Sequence, residues 1–234
     1  MLTAEQLSAA TTNVPFVYGY NWLGWNTDVE VEFDGDTEIS AVYSRDTAEY
    51  ETVVEDVEGN QTIRQIQFDQ RFVVSDSDAK SLWVVNTVNG EEVRELIGSA
   101  EGVTLYGCDA IKIVSSNDEA PKALSVAVLK TIAEKVNGKN AYRVFIHVYN
   151  PVNENISELG ILIAPGSAYV SDEAFKLENM EQGKYMTIST NAQTTDLLAH
   201  LNGVKDGVTR VVRGYAKLTE ETVYSANVYK HTFN

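Results

Sequence analysis

The sequence predicts an all-β protein in two units, and three observations carry that expectation. Apolar and polar residues alternate with period two through most of the chain, the signature of strands with one buried face. Asn-Gly and other glycine-centred turns punctuate those runs at short intervals. Third, the charge is uneven: residues 1–120 hold 23 acids and 6 bases, whereas residues 121–234 hold 11 acids and 12 bases. Such a division predicts an acidic β-rich domain over 1–114, a linker over 115–121 (Ser-Ser-Asn-Asp-Glu-Ala-Pro) and a second β domain over 122–234.

The closing stretch shows the alternation best. Val208, Val212, Gly214, Ala216 and Leu218 share one parity, while Thr209, Arg213, Tyr215 and Lys217 share the other. A polar Thr-Glu-Glu break follows, and then Val223, Tyr229 and Phe233 alternate against Tyr224, Ala226 and Val228. Two alternating runs about a short polar turn predict a hairpin.

From the other end, Thr3 and Gln6 form a capping box for a brief helix or arm over 4–10. An aromatic group, Tyr18, Tyr20, Trp22 and Trp25, comes next, and then a strand from Asp28 to Phe33, an Asp34-Gly35-Asp36 turn and a second strand. Tyr50–Val57 and Gln61–Val74 flank Glu58-Gly59-Asn60 as a hairpin; Ile63 breaks the parity of the second arm, which predicts a bulge near Arg64–Gln65. Ser81–Thr87 and Val103–Val114 read as strands, and Glu91–Ile97 as a strand in preference to a helical turn. Lys122–Val136 fits both a helical stripe and a strand. The Asn137-Gly138 turn and the β-rich stretch after it favour the strand. Ile156–Ile163 and Tyr185–Ser189 are strands, and Thr195–Leu201 reads as one or two helical turns stopped by Gly203.

Three pieces of the carboxyl-terminal half resemble a known group: YRVFIHVYNP at 142–151, ELGILIAPGS at 158–167, and VVRGYAKL with TVYSANVY between 211 and 229. They resemble immunoglobulin-like or fibronectin-III-like β-sandwich modules of Gram-positive bacterial surface proteins and of phage structural proteins. The resemblance implies a sandwich, and a protein that assembles or binds and does not turn over a substrate. The expected role is an assembly or decoration subunit of a virion, a phage capsid or tail component. The alternative is a bacterial cell-surface, extracellular adhesin or carbohydrate-binding module. Other protein subunits, identical or different, are the expected partners, with a glycan as the alternative.

Composition and motifs narrow the chemistry. A net charge of −16 repels phosphates and argues against nucleic acid. No run approaches the roughly 18 apolar residues of a membrane span, and MLTAEQLSAATTN has neither basic leader nor apolar stretch, so no signal peptide is expected. The lone Cys108 reads as a small buried hydrophobe, and His147 as a packed or surface strand residue. Zinc-ligand spacing, a nucleophile elbow and phosphate-binding glycine loops are all missing. A hydrolase using two carboxylates is a third reading, for which separation in space and not spacing in sequence decides. Two constellations remain. Six carboxylates from Asp28 to Glu38 sit two apart, and Asp34, Asp36 and Glu38 could gather oxygens around Ca²⁺ or could form a solvated acidic face. The aromatics Tyr18, Tyr20, Trp22 and Trp25 could fill a core, anchor an interface or stack on sugars.

Overall fold

Alternation wins throughout the described chain: the computed structural model shows seventeen strands and two single 3-10 turns. It describes residues 17, 19–26, 40–88, 90–108, 110–136, 138–191 and 194–234. The expected helix or arm over 4–10 and the strand over 28–33 lie outside the described residues. The protein is all-β.

In the amino-terminal half, β1 (Tyr20–Trp25) and β2 (Ala41–Arg45) make a separate two-stranded ribbon. The next strands are β3 (Glu49–Glu55), β4 (Gln61–Gln67), β5 (Arg71–Val74), β6 (Ser81–Val88), β7 (Glu91–Ser99), β8 (Val103–Tyr106) and β9 (Ile111–Ser116). Five of them form a sheet in the order β4-β3-β9-β6-β7, with β3 and β9 parallel, and β5 pairs with β8. Phe72, Val74 and Leu105 of the small pair pack with Leu82, Val84 and Ile113 of the large sheet.

The carboxyl-terminal half holds β10 (Ser125–Val136), β11 (Lys139–Tyr149), β12 (Glu158–Pro165), β13 (Met186–Thr190), β14 (Asp196–Val204), β15 (Thr209–Lys217), β16 (Thr222–Tyr224) and β17 (Tyr229–Thr232). One sheet runs β10-β11-β14 and the other β13-β12-β15-β16, with β17 also on β15. Lettered along the chain, these are an A-B-E sheet and a C′-C-F-G sheet, the two-sheet plan of an immunoglobulin- or fibronectin-III-like sandwich. Val126, Val144, Ile146, Leu159, Ile161 and Val212 meet between them.

The β10–β11 hairpin is covered on both faces. Val126, Val128, Val144 and Ile146 point into the sandwich, while Ala127, Leu129 and Phe145 complete the amino-terminal core. Burial is therefore continuous from Asn140 to Val148, as for a strand with no wet face. It explains why Lys122–Val136 matches two periodicities: the sequence alternates between two interiors.

A polar tie accompanies that packing. Glu95 of β7 is 2% exposed. Its carboxylate accepts hydrogen bonds from Val128 N at 2.6 Å, Asn227 N at 3.0 Å and Tyr229 OH at 3.0 Å. Asn86 Nδ2 donates to Val128 O at 2.7 Å and to the Tyr229 hydroxyl at 3.2 Å. Val128 precedes a register shift in β10, at the edge of its sheet. Side chains of the amino-terminal sheet thus satisfy a peptide that a further strand would otherwise take. Burial pushes the Glu95 carboxyl above its ordinary value, against the backbone donors that lower it.

On the outer face of the second sheet, the excursion over 166–185 is held by Arg213. Its Nε donates to Ser225 O at 2.8 Å and its Nη1 to Asp172 O and Phe175 O at 2.6 and 3.2 Å. Beneath it Leu162, Phe175, Val211, Tyr215 and Val228 form a third apolar cluster.

Several local expectations are corrected. Thr195–Leu201 is not helical; it opens β14, which pairs with β11 from His147–Asp196 to Asn140–Val204. Leu197, Ala199 and Leu201 face the sandwich and Leu198 the other core, so a strand buried on two sides mimicked a helical stripe. The bulge near Arg64–Gln65 is missing, since β3 and β4 pair in unbroken register and Ile63 is 58% exposed. Instead, Gln61–Val74 divides at a turn where Asp69 has φ 59°, and the two pieces join different sheets. Val103–Val114 divides at Gly107, where a Cβ would lie 2.1 Å from Gln67 O. The final hairpin arm splits into β16 and β17 around buried Ser225, whose amide donates to Gly214 O. Ser115 and Ser116 belong to β9, and the chain reaches β10 through 117–124. Among the described residues no strand ladder joins the two sides of that segment.

Two outcomes test the Glu95 tie. Glu95→Ala orphans two buried backbone donors and should cost about 3 kcal/mol, read by urea unfolding. In the pH range from the ordinary carboxyl value of 4.5 up to its raised folded value, the folded chain holds a proton the unfolded chain has released. Wild-type stability should therefore fall relative to Glu95→Gln as pH rises through that range, and a constant difference would refute the assignment.

Candidate functional site

The ribbon and the crevice at its base are two features that the fold presents outward. In β1 the register shifts between Trp22 and Gly24, leaving Leu23 unpaired opposite β2. Leu23 is 65% exposed, Trp22 38% and Val42 37%. Trp25 is half-buried, and its ring meets that of Trp22 edge-on at 6.2 Å.

The ribbon is anchored at one end. Tyr20 packs edge-on against Phe68 at 5.9 Å and its hydroxyl lies 3.4 Å from Asp69 Oδ2. Gly19, at φ 76°, lies against the Phe68 ring so closely that a Cβ would fall 2.0 Å from it. Asp46 N donates to Gly19 O at 2.6 Å and closes the second strand onto the same point. Of the four aromatics read from the sequence, Tyr20 therefore anchors, Trp22 is presented to solvent and Trp25 supports it. Tyr18 lies outside the described residues, as do Asp34, Asp36 and Glu38 with the Ca²⁺ reading attached to them. Among the described residues no group of three or more His, Cys, Asp or Glu side chains is placed to hold a metal.

Phe68 and Asp69 also line a crevice of about 400 Å³ between the amino-terminal half and the β11–β14 face. Its apolar wall is Phe68, Leu129, Phe145 and Leu198, and Asp196, Gly107 and Cys108 also line it. A second hollow of about 390 Å³ adjoins it, sharing Tyr106, Thr194 and Asp196 and adding Arg71 and Glu154. Asp69 is placed at the crevice by its backbone, since its amide donates to Gly107 O at 2.7 Å. Asp196 Oδ1 lies 2.9 Å from His147 Nδ1, and Oδ2 accepts from Thr195 Oγ1 at 2.8 Å. His147 is 3% exposed and its Nε2 has no hydrogen-bond partner. Arg71 Nε donates to Tyr106 OH at 2.7 Å, with the guanidinium 5.0 Å from the centre of that ring.

Sequence reasoning read Cys108 as a small buried hydrophobe and His147 as a packed or surface-facing strand residue; both are buried. It missed the grouping of Asp69 with Asp196, which come from opposite halves and line one crevice only when β14 docks beside β11. The one available signal, an isolated Phe-Asp-Gln turn between two β runs, says nothing about what faces it. The other histidines lie elsewhere. His231 stacks on Tyr142, and His200 is held down to about 4 by burial and by the Arg143 charge.

No protein-family model matches the sequence, and no curated protein matches it. Among solved structures, one similar chain is a candidate carbohydrate-binding protein from Bacteroides uniformis, at 12% identity and TM-score 0.29, covering 79% of this chain and 100% of that one. Another is the FN1–FN3 domains of chicken CNTN1, at 9% identity and TM-score 0.29, covering 84% of this chain and 70% of that one. At such scores neither likeness bears on what this chain binds, and neither supports a virion setting. Among the described residues no helix is long and apolar enough to cross a membrane.

The Gly19 contact is testable. Gly19→Ala forces a Cβ into Phe68 at a positive φ, so the ribbon should lose its anchor. Limited proteolysis should then cut within 20–45 at least about tenfold faster, with thermal unfolding of the body little changed; equal rates would refute the anchor.

Proposed function

We propose that this protein is a binding module that engages another protein chain through the β1–β2 ribbon and catalyses no reaction. The observation that carries this reading is the grouping of Trp22, Leu23 and Val42, exposed together on a ribbon that belongs to neither sandwich sheet. A tryptophan flanked by aliphatic side chains gains free energy by excluding water from another apolar surface, about 25 cal/mol per Å² covered. Sugar recognition would draw on the flat Trp22 ring but would leave Leu23 and Val42 without a favourable contact. Assembly within a larger particle, the role expected from the sequence, is one setting in which such a ribbon would serve.

The decisive experiment places a photo-crosslinking amino acid at position 23 in cells that express the protein. A discrete protein adduct, reduced at least about tenfold by Trp22→Ser, is the expected result. A positive glycan array abolished by Trp22→Ala, with no protein adduct, would replace the proposal by a carbohydrate-binding one. No adduct together with a silent array would overturn the binding reading altogether.

A further inference from the structure

We propose that the crevice beside the ribbon receives an arginine or lysine side chain of the partner, the cationic head lying between Asp69 and Asp196 and the methylene stem on Phe68, Leu129 and Phe145. The inference rests on the binding-module reading and deepens it by stating the chemistry of the partner.

The shape and the charge agree. An arginine or lysine has an apolar stem and a charged tip, and it needs a site with the same division. The crevice is apolar where it is walled by Phe68, Leu129, Phe145 and Leu198, and it carries carboxylates from both halves of the molecule. Among the described residues lining the joined hollows, the three carboxylates of Asp69, Asp196 and Glu154 outnumber the one guanidinium, that of Arg71, with His147 pairing to Asp196. The site therefore retains negative charge.

Asp196 is preorganised for this task. His147 and Thr195 hold both of its oxygens, so its carboxylate is fixed before a ligand arrives and less ordering entropy is lost on binding. Asp69 is fixed through its amide and sits beside the Tyr20 hydroxyl, which places the crevice at the foot of the ribbon. A partner whose apolar patch covers Trp22 and Leu23 can reach the crevice with a neighbouring side chain. The excess of 23 acids over 6 bases in residues 1–120 would draw a basic partner toward this half.

The test is a titration of the full chain with Nα-acetyl-arginine methylamide, followed by two-dimensional NMR. Nα-acetyl-citrulline methylamide, isosteric and uncharged, is the control. The expected result is a set of amide shifts confined to 68–71, 106–108 and 194–198, with binding at least about tenfold weaker for citrulline and for the Asp69→Asn/Asp196→Asn double variant. Asparagine is well suited to the positive φ of position 69, so Asp69→Asn alone decides the matter should the Asp196 change unfold the chain. Equal binding of both probes, shifts scattered over the acidic surface, or undiminished binding by the variants would overturn the proposal. Trp22→Ser should leave arginine binding intact. Loss of arginine binding with the position-23 adduct preserved removes only this inference, whereas loss of the adduct alone removes the ribbon reading.

Discussion

A single buried carboxylate governs how the two halves of this molecule meet. Glu95 projects from the amino-terminal sheet and satisfies two peptide donors and a phenol that belong to the sandwich. A charged or protonated carboxyl in that position is costly to bury without partners, and each of the three donors is equally costly to leave unpaired. The tie therefore sets one geometry, in which the β10–β11 hairpin serves both apolar interiors. Apolar packing alone would tolerate sliding between the halves. Directed hydrogen bonds to Val128 and Asn227 do not.

The ribbon and the crevice depend on that geometry. The crevice exists because the turn carrying Phe68 and Asp69 is held opposite β14, and β14 is positioned by its ladder with β11. The ribbon in turn stands on Phe68 through Gly19 and Tyr20. One aromatic side chain thus belongs to the core, supports the base of the ribbon that presents Trp22, and walls the crevice. Such sharing couples the two surfaces physically, so that a partner covering one lies beside the other.

Much of the strand content was legible locally. Alternation in Thr209–Lys217 and the glycine turns at Gly59, Gly90 and Gly138 report short-range rules, and each of those glycines has a positive φ. The misreadings cluster where both faces of a strand are buried or where one run serves two sheets. β14 looked helical because Leu197 and Leu198 point into different cores. Gln61–Val74 and Val103–Val114 looked continuous because nothing in their patterns marks Asp69 or Gly107 as the place where the chain changes sheets. The crevice was not legible at all, since Asp69 lay inside a run read as one strand and Asp196 inside a run read as helical, and only the fold sets both at one hollow.

By itself the sequence determined the all-β class, the positions of most strands and the acidic character of the amino-terminal half, because these follow from side-chain period, turn chemistry and charge. Only the tertiary structure decided which strands carry two buried faces, which aromatic residue anchors and which is presented, and where a crevice lined by Asp69 and Asp196 lies. Those properties depend on contacts between segments far apart in the chain, and the energy of such a contact has no counterpart in local sequence spacing.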